Sequence, residues 1–144
     1  MNKSIKNEML LYQRNSLSSA LALFFLVFNT IQTIFTLNTV DVSAAGIRIM
    51  EIILTNIVLS FLVFIAASEI KRYSLRWSWT ALGIGIFQCL RYFLLPGSLR
   101  TEDVFLTIVL PLEAAGFLLI FAAVISLVKC SMYRTAKKEA ECHT

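Results

Sequence analysis

The stretch LPLEAAGFLLIFAAVISL, Leu110 to Leu127, holds one charged side chain, Glu113, in a run otherwise made of apolar and small residues. Such a run belongs either in a soluble core or in the hydrocarbon of a bilayer, which takes about 20 mostly apolar residues per helix. The rest of the chain decides between them. Of its 144 residues, 58% are hydrophobic and 15% are charged, against roughly 25% charged in a soluble domain.

Working outward, three more runs of the same kind precede it. The four are 16–37, 49–68, 77–95 and 104–128, and the charges collect between them. A single segment in hydrocarbon must satisfy its own backbone hydrogen bonds, so each run is read as a helix. A membrane barrel needs alternating strands, and the sequence has no such alternation. The helices of a soluble bundle carry a polar face, and these runs mostly do not. The fold expected is therefore an all-α integral membrane protein: a four-transmembrane-helix bundle with short loops.

Lys and Arg set the expected orientation. Lys3, Lys6 and Arg14 precede the first run; Lys71, Arg72 and Arg76 lie in the second loop; Lys129, Arg134, Lys137 and Lys138 follow the last run. The first and third loops hold only Arg48 and Arg100. Basic residues stay on the cytoplasmic side, which predicts cytoplasmic N and C termini and location in the cell membrane. Tyr12, Tyr73, Trp77, Trp79 and Tyr133 fall at that same boundary, where amphipathic rings prefer to sit. Residues 1–15 read as a cytoplasmic segment with an amphipathic helix placing Ile5, Met9 and Tyr12 on one side, and 129–144 as a cytoplasmic tail that continues the last helix. Val42-Ser43-Ala44 has the small residues of a signal cleavage site, but the run before it exceeds the roughly 7–15 residues of a signal core. It reads as a span.

Several chemistries are excluded by what is missing. His143, in the tail, is the one histidine, and the three cysteines, Cys89, Cys130 and Cys142, form no C-x-x-C pair. That removes histidine-ligated haem, histidine triads and zinc sites. There is no phosphate-binding glycine loop. No cofactor and no catalytic residue is expected, and the net charge of +4 reads as a rim facing anionic lipid. Nucleic acid is not an expected partner, because no basic domain offers a groove.

The chemistry-bearing residues that remain lie inside the runs. Arg91 and Glu113 fall at similar depths on the outer side of mid-membrane, where each charge costs at least ~2.5–3.5 kcal/mol unless it is turned inward and partnered. An Arg91–Glu113 pair is the first expectation. Gln88 shares a helix face with Arg91 at a spacing of three. Asn29 and Gln32, with Thr33 and Thr36, line one side of the first run, and Asn56 lies at a comparable depth in the second. Pro111 is expected to kink the last helix and free the carbonyl of Thr107.

These residues, Arg91, Glu113, Gln88, Asn29, Gln32 and Asn56, form the candidate polar cluster, with two readings open. One is a pocket in which Arg91 recognises an anion and Glu113 a cation or proton. The other is a closed hydrogen-bonded cluster that fixes helix register. The small-residue stripes Ala81–Gly85–Cys89 and Ala122–Ser126 allow close helix contact, within the chain or with another subunit. The function expected is a non-catalytic accessory or structural subunit of a membrane complex connected with transport. Its partners are the lipid bilayer and other membrane subunits or further copies of itself. The alternative is a homo-oligomeric small transporter or proton/ion carrier using the Arg–Glu pair, with a membrane-embedded enzyme third.

Overall fold

The computed structural model describes residues 15–39, 42–94 and 109–142. It is all-helical, with four helices: α1, Ser16–Thr39; α2, Val42–Ile70; α3, Leu75–Leu94; and α4, Leu110–Cys142. Three contain segments long and apolar enough to cross a membrane: Ser16–Asn38, Met50–Ile70 and Leu110–Thr135. Helix α3 is less clearly apolar, since it carries Arg76, Gln88 and Arg91 within its length. Each helix packs against its two neighbours in a ring, α1 on α2, α2 on α3, α3 on α4 and α4 back on α1. The pairs of residues that meet run in opposite senses, Asn15 with Ile70 and Asn29 with Ser60, or Ser78 with Ser126 and Cys89 with Gly116. The bundle is therefore antiparallel.

Many hydroxyls in these helices bond back to their own backbone. Thr30, Thr33, Thr36, Thr55, Ser78 and Thr80 each donate to the carbonyl one turn back, at 2.7–3.2 Å. A threonine so bonded puts its methyl outward and adds no free polar group to the helix surface.

Helix boundaries differ from the limits of the apolar runs. Helix α2 opens at Val42, ahead of the run that starts at Ile49, leaving only Val40 and Asp41 between α1 and α2. Apolarity marks where a chain meets hydrocarbon, whereas a helix continues while its backbone bonds are favourable, and Ala44 and Ala45 are strong helix formers. The second loop is likewise shorter than expected, 71–74. There Tyr73 adopts φ 56°, its N–H donating to Ile70 O at 3.1 Å while the N–H of Ser74 reaches Glu69 O at 3.4 Å. These crossed bonds are a Schellman C-cap with tyrosine in the left-handed position that glycine usually fills. Tyr73 stacks on Tyr133, ring centroids 5.1 Å apart, which is worth ~0.5–1.5 kcal/mol and offsets the backbone cost. Ser74 O then accepts from Ser78 N–H, so the residue that closes α2 also opens α3.

The described part of α4 begins only one residue before Pro111. Pro111 stands in the first turn of α4, where a missing N–H is tolerated; Thr107 lies outside the described residues, as do the amphipathic segment before Asn15 and the third loop. The last helix does continue past Lys129, as far as Cys142.

The interior has two parts. Nearest the 71–74 turn is a dry core that includes Ala22, Phe25, Leu59, Val63, Ala67, Ile70, Ala81, Leu119 and Ala122. The part nearer the C-terminal end of α3 is polar, and a small apolar group of Val109, Leu112 and Ile52 lies beside it.

A polar lattice within the bundle

Helix periodicity places the polar side chains. On α1, Asn29, Gln32 and Thr36 follow one another at spacings of three and four, so all three point to the same side. Each is about 1% exposed. On α2, Asn56 and Ser60 are one turn apart and face α1; on α3, Gln88 and Arg91 share a face. Antiparallel packing brings these three rows to one level.

There they bond to one another. Asn29 donates to Asn56 O at 3.1 Å and to Ser60 Oγ at 2.8 Å, and its Oδ1 accepts from Gln88 Nε2 at 3.3 Å. Asn56 donates to Gln32 Oε1 at 2.6 Å and to Thr33 Oγ1 at 2.8 Å. Gln32 passes its own Nε2–H to Thr36 Oγ1 at 3.1 Å. The guanidinium of Arg91 donates to Asn56 Oδ1, to Gln88 Oε1 at 3.4 Å and to Ile52 O at 3.1 Å. All four amide side chains thus use both their oxygen and their nitrogen, which is how a buried polar network avoids the penalty of unpaired groups.

Among the described residues the acceptors around Arg91 are all neutral. An arginine stays protonated in proteins, so the described part of this lattice holds a positive charge by oriented amide and carbonyl dipoles. Gln88 is fully buried, and Asn56 and Arg91 are 2% and 6% exposed. The arrangement is closed.

Glu113 is not part of it, and the expected Arg91–Glu113 pair does not form: among the described residues the ion pair is Arg72–Glu69, at the bundle surface. Arg91 and Glu113 do share a level along the bundle, each thirteen residues, about 20 Å of helix, from the Ser78–Ser126 hydroxyl contact. Azimuth separates them. Arg91 points from α3 toward α2, whereas the α3 residue that neighbours Glu113 is Cys89, two residues and ~200° around the helix. The six candidates therefore divide into five that meet, Arg91, Gln88, Asn29, Gln32 and Asn56, and one that does not.

The Cys89 face of α3 does different work. A Cβ on Gly116 would come within 2.6 Å of Cys89 Sγ and 3.2 Å of Gly85 O, and one on Gly85 within 2.8 Å of Ile120 Cγ1. The stripe Ala81–Gly85–Cys89 is thus a seam inside the chain, closing α3 on α4. Ser126, from the second stripe, bonds Ser78 at 2.7 Å across that same seam.

Sequence reasoning missed Ser60, the carbonyl of Ile52, and Asn15, whose buried side chain donates to Ile70 O and ties the start of α1 to the end of α2. The spacing of Ser60 from Asn56, one turn on the same face, was a usable signal. Among the described residues no three His, Cys, Asp or Glu side chains gather, so the lattice's chemistry is that of amides, hydroxyls and one guanidinium. Comparison with protein-family models, with curated proteins and with solved structures finds no match.

Proposed function

We propose that the protein is a non-catalytic membrane subunit: a four-span accessory or structural component of a membrane complex connected with transport. The observation that supports this best is the closure of the polar lattice, whose side chains satisfy one another and are almost entirely out of reach of a ligand. A lattice of this kind fixes the register of three helices and leaves the outer surface for lipid and neighbours. In this reading α3 is the fourth span, held in the bilayer by its packing against its neighbours. The end bearing Lys71, Arg72, Arg76, Lys129 and Arg134 faces the cytoplasm of a cell membrane, by the positive-inside rule.

A second reading keeps one specific support. The charge of Arg91 has no carboxylate partner among the described residues, and a homo-oligomeric carrier would use such a group to attract an anion. One experiment separates the two. A tagged chain purified from native membranes in mild detergent is expected to bring down a different membrane protein at fixed stoichiometry. A clean homo-oligomer would overturn the subunit reading, and liposome flux that is lost in Glu113→Gln would establish the carrier.

A further inference from the structure

The outward row of α4 has a composition that lipid alone does not explain. Glu113, Phe117 and Phe121 recur at spacings of four, so they lie along one side of the helix. Phe117 and Phe121 are 56% and 63% exposed, and Leu110, one turn before Glu113, is also exposed. Glu113 itself is partly exposed. It stands at the level of Arg91, within the segment of α4 that is long and apolar enough to cross a membrane. The polar group beside it is the Cys89 thiol, a weak donor, and among the described residues it has no ion-pair partner. A carboxylate at that depth is costly in contact with acyl chains and stable beside a cation.

We propose that this row is a docking surface for a transmembrane helix of another protein, one that carries a Lys or Arg side chain at the level of Glu113. The inference rests on the subunit reading and says which face the partner takes. A second copy of this chain fits poorly. Among the described residues the one basic side chain at that level is Arg91, and it is turned inward and bonded to Asn56, Gln88 and Ile52. The aromatic rings below Glu113 supply the apolar contact, and the carboxylate fixes partner choice and register, as a charge at a helix interface does.

The test places a photo-reactive group on the row in native membranes. With Phe117→p-benzoylphenylalanine, irradiation is expected to yield an adduct to a transmembrane segment of a different protein containing Lys or Arg within one turn of the linked residue. Adding Glu113→Leu should lower the yield on the order of tenfold. Should that variant fail to accumulate, Glu113→Gln, which keeps the volume and removes the charge, must give the same drop. Adducts to lipid alone, to a second copy, or to a partner lacking a basic residue would overturn the proposal, as would a yield indifferent to both variants. Phe61, on α2 and 65% exposed, is the second probe position. An adduct there and none at Phe117 would sink this surface while leaving the subunit reading intact. Adducts at neither, with a pull-down that returns no other protein, would sink both.

Discussion

The two halves of this bundle hold their helices together by different physics. In the half nearest the 71–74 turn, Ala22, Ala66, Ala67, Ala81, Ala122 and Ala123 are essentially fully buried, and contact is a matter of close approach and dispersion. Its polar contacts are few: the Ser78–Ser126 hydroxyl pair, and at the very end the Asn15 bond to Ile70 O. In the other half, helices α1, α2 and α3 are joined by directional bonds through four amides and a guanidinium. Since lipid is as apolar as leucine, burial in the dry half carries little hydrophobic driving force and its packing tolerates sliding. The lattice does not tolerate it, because a shift of one turn leaves several buried groups unpaired. One half supplies contact area and the other supplies register.

That contrast can be broken most severely at Asn56. Replacing it with leucine removes an acceptor from a buried guanidinium, and Asn56→Leu is expected to lose ~3–5 kcal/mol in reversible unfolding in detergent. The double variant Asn56→Leu with Arg91→Met should recover ~1–3 kcal/mol of that loss, the signature of two coupled residues. Glu113→Leu, by contrast, should change the isolated chain by no more than ~0.5 kcal/mol. A loss at Glu113 as large as that at Asn56 would restore the charge pair that the geometry separates.

The glycine seam comes next in size. Gly116→Ala drives a methyl into Cys89 Sγ and toward the backbone of α3, and should lose ~1–3 kcal/mol. Gly83, two residues from Gly85, has nothing within 4 Å of its would-be Cβ. Gly83→Ala is therefore expected to gain up to ~1 kcal/mol from helix propensity. Opposite signs at the two glycines, read as shifts in thermal midpoint, sharpen the claim that the seam and not glycine content matters. Among the residues that join helices, the smallest loss belongs to the dry half. Ser78→Ala should lose ~0.6 kcal/mol, the average for an interhelical hydrogen bond in a membrane. A loss of lattice size there would erase the distinction between the halves.

Much of this was legible in the sequence, and what escaped has a physical cause. The helical runs follow from apolarity, and the gathering of Asn29, Gln32, Asn56, Gln88 and Arg91 follows from depth, because polar side chains at one level in a bilayer seek each other. Gln88 and Arg91 could be placed on one face from their spacing alone. Depth, however, says nothing about rotation, and opposite charges at equal depth invite a pairing that only azimuth can veto. The carbonyl of Ile52 escaped because a backbone acceptor has no letter in the sequence. The start of α2 escaped because residues 42–48 continue the helix beyond the apolar run.

The lattice also has an order in time. Asn29 and Gln32 on α1, then Ile52, Asn56 and Ser60 on α2, all precede Gln88 and Arg91 in the chain, and the turn joining α2 to α3 spans residues 71–74. Every neutral acceptor that surrounds the guanidinium has therefore been synthesised before the charge itself leaves the ribosome, and its nearest acceptors sit on the adjoining arm of the same hairpin. Helix α4, which comes last, contributes no lattice residue and closes by its glycine seam. The one charged member of the lattice is thus the last of its residues to be made.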